Sequence, residues 1–537
     1  MATSVRTPDL LPAGSQGFSG AIFLGLFAAL AVLSCFKYLA LHSTVSGLGL
    51  TLSSLYSIHN TGHWWLAFTG HARPLLLVFA GVYRLVPDQA APFVLLILQA
   101  LLLALPAFLA ARRYGGLAAL AYGLYFPVWT NALNGFHLDH LLIPMLFVFL
   151  MAVQEERFGL AAWLGLLPSL VGEYAALITV FCGISLYAVS RRRSAGLTLA
   201  AVGLLLFFVE TRWIIPFCTA DTPAWPGWNA LFAGSGQAGA CTPVSPWLTL
   251  TACFGGLLFL PLFRPKLLVP ALPALAFVLF AGPDAADWTG PVTAGAAGAL
   301  FFAFCEVLGP LRVLARQSGV SARRFGTTVF AMLLVVHVFL APSPVSRPFL
   351  TGGSFAFGME AYEPTARDAA ILAAILRSVP DNDTVPVVSQ NTLNWGALAE
   401  RYHFASFPRG VFTPYPVRDL SDATWKDFWT FLRTGRTDGL PVRAWQAEYV
   451  LLDLTRPWCV LERQCPLPAT ACPDQPVAGL FNTLVIRARQ AMDPVYDQGG
   501  FVILRRRHPP APAPKTAPPA APPAAAPAPT DTGNPTP

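Results

Sequence analysis

Residues 18–41 read FSGAIFLGLFAALAVLSCFKYLAL, and this stretch decides what kind of protein the chain forms. As a helix, an apolar run of this length crosses the hydrocarbon core of a bilayer, which takes about 20 residues. The run is longer than the apolar core of a signal peptide, and no small-residue cleavage site clearly follows it. We therefore interpret it as a membrane span that the protein retains.

The rest of the chain keeps this apolar character. Of its 537 residues, 55% are hydrophobic and 12% are charged, whereas a soluble domain has about 25% charged residues. The formal net charge is +7, and the excess arginine lies in short loops, where it sets membrane topology. We find no basic patch interleaved with aromatic residues and no nucleic-acid-binding motif. The composition therefore predicts a lipid bilayer, and not nucleic acid, as the partner.

Apolar runs predict an α-helical polytopic bundle of about eleven spans. The predicted spans are residues 18–41, 91–111, 115–131, 141–154, 158–172, 174–190, 195–213, 247–263, 267–282, 291–311 and 325–342. The segment 74–87 begins with Pro74 and carries Arg84, so we interpret it as an amphipathic helix on the outer surface.

Basic residues give the bundle its orientation. With the N-terminus in the cytoplasm, thirteen arginines and lysines fall in cytoplasmic segments and three in membrane-proximal outer loops. This asymmetry follows the positive-inside rule at every turn. Everything after about Ala341 is then predicted to lie outside the cytoplasm.

Four regions follow from these patterns: a cytoplasmic N-terminus (1–17), a membrane domain (18–345), an extracytoplasmic α/β domain (346–507) and a tail (508–537). In the α/β domain, helical spacing and strand-like runs alternate. Predicted helices cover residues 363–379, 421–434 and 476–490, and predicted strands cover 383–389, 448–453 and 500–505. The tail is almost entirely proline and alanine and is predicted to be disordered.

Ionisable residues near a span are candidates for function, and here they collect on the predicted outer face. They are His42, His59, His63, His71, His137, Asp139, His140, Glu173, Asp284 and Asp287. His59 and His63 are four residues apart, so on a helix they would share one face and could bind a divalent metal. The alternative is that such histidines are interfacial residues bonded to water and lipid head groups.

The turn that holds His137, Asp139 and His140 has three ionisable groups in four residues. Imidazoles and a carboxylate in such a place could hold a metal or serve as acid and base. Glu173 has two interpretations: a helix-end carboxylate favoured by the helix dipole, or a carboxylate directed into an outer cavity. Lys37, near the outer end of the first span, could extend to the interface or contact a phosphate.

Five of the nine cysteines lie in polar segments and are candidates for disulfides. Cys218 and Cys241 flank a loop rich in proline, tryptophan and glycine, which a disulfide could close. Cys459, Cys465 and Cys472 do not have zinc-ribbon spacing, so a bridge between two of the three is expected.

Several motifs resemble a known family. Residues 71–113 include HARPLLL, VYRLVP and LQALLLALP, and this stretch is similar to bacterial membrane proteins grouped as domain of unknown function 2079. Phe136-His137 and Gly172-Glu173 fall at positions where that family has Phe-His and Lys-Glu-Asp motifs. The family in turn resembles the type C glycosyltransferases, which take sugars from polyprenyl-phosphate donors. The resemblance implies that fold, with action at the periplasmic face of a bacterial inner membrane.

The resemblance also implies site residues. The acidic residue of the family's first outer loop corresponds here to Gly47, so a base would have to be Asp139 or Glu173. The expected roles of the other residues are donor-phosphate or metal binding by His71, His137 and His140, and phosphate pairing by Lys37 or Arg73. The expected acceptor is a component of the cell envelope.

These patterns are compatible with three functions. The first is a glycosyltransferase that uses a lipid-linked sugar. The second is a membrane protein that has lost catalysis, as Gly47 suggests, and binds or scaffolds cell-envelope components. A transporter ranks below both, because no pair of interrupted spans occupies matching positions in two halves of the chain.

Overall fold

The computed structural model describes most of the membrane region and part of the C-terminal region. The described residues are 15–43, 45–189, 193–219, 246–280, 293–351, 358–380, 386–389, 398, 403–406, 447–455, 485–486, 488–490 and 492–507. The predicted helix 421–434 and the tail from 508 lie outside this set, as does most of the predicted helix 476–490.

Seventeen α-helices are present in the described residues. They are α1 (Ser15–Leu39), α2 (Leu50–Thr61), α3 (Leu75–Tyr83), α4 (Ala91–Tyr114), α5 (Gly116–Gly123), α6 (Phe126–Leu133), α7 (Leu142–Gln154), α8 (Phe158–Leu166), α9 (Glu173–Val189), α10 (Arg193–Val209), α11 (Ile215–Thr219), α12 (Pro246–Gly255), α13 (Leu272–Phe280), α14 (Ala294–Gln317), α15 (Ala322–Leu340), α16 (Arg347–Leu350) and α17 (Ala366–Ser378).

Five helical segments in the described part of the chain are long and apolar enough to cross a membrane. They are Phe18–Leu39, Ala91–Tyr114, Arg193–Cys218, Ala294–Gln317 and Ala322–Leu340. Shorter apolar helices overlap other predicted spans, at Leu138–Gln154, Phe158–Leu170, Glu173–Ala188 and Pro265–Phe280. Apolar helices of this length identify a membrane protein.

One predicted span, 115–131, is divided into two helices. The backbone turns extended at Tyr125, and α6 then begins with a proline in its first turn. Proline is tolerated there because the first amides of a helix have no partner within it. The break positions the residues after α6, including the turn at His137, beside α4.

Helix α14 lies at the centre of the bundle. Its first half is mostly alanine and glycine and is almost entirely buried. A Cβ at Gly298 would collide with the backbone of Ile143 on α7, so the small residue permits close helix contact. Lipid tails are as apolar as leucine, and close packing of this kind is what holds helices together in a membrane.

The C-terminal region contains a mixed five-stranded sheet of order β2-β1-β3-β5-β4. Its strands are β1 (Pro386–Ser389), β2 (His403–Ser406), β3 (Tyr449–Asp453), β4 (Met492–Gln498) and β5 (Phe501–Arg506). β1 pairs in parallel with β2 and β3, while β5 is antiparallel to β3 and β4. Strands were predicted at the positions of β1, β3 and β5, whereas β2 and β4 were not.

Helix α17 packs on this sheet and corresponds to the predicted helix 363–379. It begins with a capping box, in which Thr365 and Asp368 each accept a hydrogen bond from the other's backbone amide. Such a box satisfies two amides that a helix end leaves without partners. The core beneath α17 also includes Leu41, two residues after α1, and this contact connects the sheet to the first membrane helix.

Candidate functional site

Two predicted site residues that are 102 positions apart form one pair. The Nδ1 atom of His71 lies 2.8 Å from Oε1 of Glu173, and the backbone N–H of Ala72 donates to Oε2 at 3.1 Å. Glu173 is the first residue of α9, where the helix dipole stabilises a negative charge. Both of its carboxylate oxygens therefore have donors.

The side chains of His71 and Glu173 differ in solvent exposure, and this difference assigns them different roles. The side chain of Glu173 is 3% exposed, whereas that of His71 is 54% exposed. Because an ionised carboxylate only accepts hydrogen bonds, we assign the proton on Nδ1 to the bond with Glu173. The Nε2 atom of His71 is then left with a free lone pair. A carboxylate bonded to one ring nitrogen fixes the tautomer and the orientation of an imidazole, so that the second nitrogen is presented as an acceptor.

Asp139 lies on the other side of the same site. Its Oδ1 accepts a hydrogen bond of 2.9 Å from the hydroxyl of Tyr174, the residue that follows Glu173. Burial raises the pKa of Asp139, and the Arg73 charge and the Tyr174 hydrogen bond act against that rise. Asp139 and Glu173 also interact electrostatically. The structure therefore brings the two proposed bases into one site.

Arg73 supplies positive charge between these groups. Its guanidinium acts electrostatically on Asp139 and on His137. Among the ion pairs of the described residues, none includes Arg73. A partly buried arginine with no carboxylate partner in direct contact is suited to bind a phosphate.

His137 and His140 are held by Gln99, a residue of α4 that was not predicted to belong to the site. Its Oε1 accepts from the backbone N–H of His137 at 3.0 Å and faces Nδ1 of His140 at 3.1 Å. Its Nε2 donates to the carbonyl of Gly135 at 3.0 Å. A lone amide within an apolar run was the signal that could have identified it.

The two imidazoles of this turn lie close together, with ring centroids 5.0 Å apart. Burial, with a smaller contribution from the charge of Arg73, lowers the pKa of His137 from 6.5 to about 3. His137 is therefore neutral near pH 7. Any contact that it makes with an anion would be a neutral hydrogen bond and not an ion pair.

Lys37 is buried and hydrogen-bonded within the protein. It is 2% exposed, its Nζ donates to the carbonyl of Leu133 at 2.7 Å, and it lies 5.9 Å from the ring centre of Tyr362. Leu133 ends α6, and a cation stabilises the negative end of a helix dipole. Lys37 thus joins α1 to α6 and to the segment that leads into the C-terminal region.

His59 and His63 do not share a helical face, contrary to the spacing argument. Helix α2 ends at Thr61, because Gly62 adopts a left-handed conformation with φ of 70°. His63 lies beyond the helix and stacks on Trp65 at 4.1 Å, while His59 contacts the ring of Tyr83 at 5.8 Å. Within the described residues, no three His, Cys, Asp or Glu side chains are grouped to hold a metal ion.

The disulfide candidates are mostly beyond the described residues. Cys218 is a partly buried free thiol just before the end of α11. The residues outside the described set are Cys241, Cys459, Cys465 and Cys472. The aspartates Asp284 and Asp287 are also outside it.

Glu210 is a further acidic residue that the sequence analysis passed over. It lies in a π-helical turn after α10, is 3% exposed, and interacts electrostatically with Glu173. π-helical turns within α-helices are frequent at functional sites. A single glutamate within the predicted span 195–213 was the signal that could have identified it.

Comparisons with known proteins give a distant structural likeness. No family model matches the chain, and no curated protein matches it. The similarity to domain of unknown function 2079 therefore rests on the quoted motifs alone. Among solved structures, the chain is similar to the crystal structure of ArnT from Cupriavidus metallidurans in the apo state. The two share 14% sequence identity at a TM-score of 0.44, over 90% of this chain and 98% of that one.

Proposed function

We propose that this protein is a membrane-embedded transferase that takes a sugar from a lipid-phosphate carrier at the predicted periplasmic face, with His71 as its general base. The observation that carries this proposal is the pair formed by exposed His71 and buried Glu173 beside Arg73. These side chains are the basis for proposing a general base and a phosphate-binding group. The sugar and its lipid carrier come from the motif resemblance.

In the proposed step, an acceptor hydroxyl attacks the anomeric carbon of the sugar. The new bond forms between that oxygen and the carbon, and the bond from carbon to phosphate oxygen breaks. The bonding electrons leave with the lipid phosphate, whose charge Arg73 would stabilise. The hydroxyl proton passes to Nε2 of His71, and Glu173 stabilises the resulting imidazolium.

This assignment differs from the expectation that Glu173 is itself the base. Both oxygens of Glu173 already accept hydrogen bonds, and its side chain is almost inaccessible. It therefore acts through His71 as a positioning residue. Asp139, which accepts from Tyr174, is proposed as a second polar contact for the acceptor.

A divalent metal, which the resemblance implies, does not fit the described residues. A metal of this kind prefers several carboxylate or imidazole ligands with available lone pairs. Here the oxygens of Glu173 are engaged by His71 and by Ala72, and Asp139 is bonded to Tyr174. The proposed step therefore uses no metal.

Turnover of a polyprenyl-phosphate-linked sugar in isolated membranes tests the proposal. His71→Ala is expected to reduce transfer by about 10²–10⁴-fold, the usual contribution of a general base. Arg84→Gln, which changes an exposed arginine of the same predicted face, is the matched control and should keep its rate. Equal rates in the His71 variant and the wild type would refute the proposed base.

A binding or scaffolding role is the second candidate, and one observation favours it. The positions that correspond to acidic and basic motif residues of the resembled family hold Gly47, Gly172 and Tyr174. Donor binding without turnover, together with a cell-envelope partner recovered from solubilised membranes, would support this role over catalysis.

A further inference from the structure

Helices α9 and α10 form a hairpin with unusually close backbones. A Cβ at Gly196 would lie 2.5 Å from the backbone nitrogen of Tyr187, and one at Gly203 would lie 2.8 Å from that of Val180. Neither glycine could be replaced without moving the facing helix. Small residues at a helix interface permit this approach in membranes, and they fix the register of the hairpin.

The register can be followed to the site end of the hairpin. Each step of three or four residues back along α9 is matched by an equal step forward along α10. The facing pairs are Tyr187 with Gly196, Gly183 with Ala200, Val180 with Gly203, and Ala176 with Phe207, which share one apolar cluster. One further step of three residues places Glu173 opposite Glu210. The electrostatic interaction between these two carboxyl groups agrees with this register.

Glu210 is enclosed at this position. The apolar cluster that contains Phe207 and Ile215, on either side of it, also contains Ala72 and Ala176. Ala72 follows His71, and Ala176 is one helical turn from Glu173. Glu210 is therefore covered by the same segments that form the His71–Glu173 pair. Its Oε2 is buried and has no hydrogen-bond partner in the described residues.

We infer that Glu173 and Glu210 form a carboxyl pair that holds one proton, with the proton on Glu210. Two facing carboxyl groups with little access to water cannot both be ionised at low cost. Glu173 accepts hydrogen bonds from His71 and from the amide of Ala72, and both stabilise its ionised form. Glu210 has no such donors among the described residues, so it is the member that keeps the proton.

The other ionisable groups around the pair are few. Those on the neighbouring elements are His71, Arg73, Asp139 and Tyr174, and Arg212 lies two residues beyond Glu210 with its side chain exposed. Of the ionisable groups here, Glu173 is the one that the hairpin register places opposite Glu210, and the two interact electrostatically.

The pair has a consequence for transfer, and this consequence rests on the proposed function. With one proton between them, the two carboxyls present a single negative charge to His71. If both were ionised, a second negative charge would be buried next to Glu173 without a partner, at a cost in stability. Glu210 is therefore a positioning residue that lets Glu173 keep its charge and its hydrogen bond to the imidazole.

Infrared spectroscopy of the purified protein in detergent tests the pair without any sugar donor. A protonated carboxyl has a carbonyl stretch that disappears on ionisation. In the wild type, the signal of Glu210 should persist well above the ordinary glutamate pKa of about 4.3. It should be lost in Glu210→Gln and retained in Glu363→Gln, which changes an exposed glutamate in the outer region.

Melting temperature as a function of pH supplies a second measurement. The folded state retains a proton that the unfolded chain releases, so wild-type stability should fall as the pH rises through the ionisation of the pair. Glu210→Gln removes that proton, and its melting temperature should depend less on pH.

The proposed pair is refuted if, as the pH is raised, the wild-type carbonyl signal disappears at the same pH as the signals of ordinary carboxyl groups. This titration of the wild type needs no variant. An unchanged signal in Glu210→Gln would also overturn it. Since both measurements are independent of turnover, a protein with the infrared signal but no transfer would refute the proposed function and leave the pair in place.

Discussion

The two ends of the membrane domain differ in how their charged groups are paired. At the predicted cytoplasmic end, Arg113 bonds Glu155 at 2.7 Å and lies 3.8 Å from Glu306, which also accepts a hydrogen bond from Tyr114. At the opposite end, Glu210 has a buried oxygen with no hydrogen-bond partner among the described residues, and His71 exposes half of its ring. Complete pairing is typical of a structural network, whereas incomplete pairing is typical of a site that receives a ligand.

The largest expected effect is on activity at the outer end. Glu173→Gln keeps the shape of the side chain but removes the charge that stabilises the His71 imidazolium. We expect sugar transfer to fall by about 10²-fold or more. Initial rates in membranes measure this change, with Glu155→Gln as the matched substitution at the inner end. Equal losses in both variants would mean that the two ends do not differ in function.

The next effect is on stability at the inner end. Glu306→Gln removes the charge that faces Arg113 and weakens the hydrogen bond from Tyr114. Leaving such groups poorly satisfied should lower the free energy of unfolding by about 1–3 kcal/mol. Denaturant unfolding in detergent micelles gives the value, and transfer at a permissive temperature should remain near wild type. A loss of transfer without a loss of stability would contradict the structural role.

A pH dependence should come from the outer end. His137 has a folded pKa of about 3 against an ordinary value of 6.5, so the unfolded chain binds more protons between those values. Stability is therefore complete above pH 6.5 and falls as the pH decreases toward 3. His137→Asn, which cannot take up this proton, should show a smaller loss in melting temperature over that range. Parallel curves for both proteins would contradict the assignment.

The smallest effect is expected for the exposed part of the inner network. Glu155 is 31% exposed and pairs with Arg113 and Arg157. Because solvent screens such pairs, Glu155→Gln should cost only about 0.2–1 kcal/mol of unfolding free energy. The same denaturant experiment measures it, and a cost as large as that of Glu306→Gln would show that the network acts as one unit.

The sequence identifies candidate site residues better than it predicts which of them are in contact. His71 and Glu173 were both selected from their positions near the membrane, but nothing in their spacing predicts a contact between residues 102 positions apart. That contact depends on how the segment before α3 packs on α9, which is tertiary information. The spacing of His59 and His63 was misleading because Gly62 ends the helix between them, and glycine is a common helix terminator.

The missed elements also have physical reasons. The strand β2 has only four residues and lies at an edge of the sheet. The other edge strand, β4, contains Pro494 and is mostly exposed, features that weaken a strand pattern. Gln99 and Glu210 were hidden because each lies within an apolar run that was assigned as a span. Within such apolar runs, a single polar residue is a better indication of a functional site than the apolar residues around it.

The contact of Leu41 with the C-terminal core has a consequence for biosynthesis. Leu41 lies two residues beyond the first helix that the ribosome makes, yet it belongs to the same buried core as Phe501 and Ile503. The residue that follows the first membrane helix is therefore covered only when nearly the whole chain has been made. A chain truncated before β5 would lack this cover, so Leu41 would be exposed at the junction between the first membrane helix and the C-terminal region.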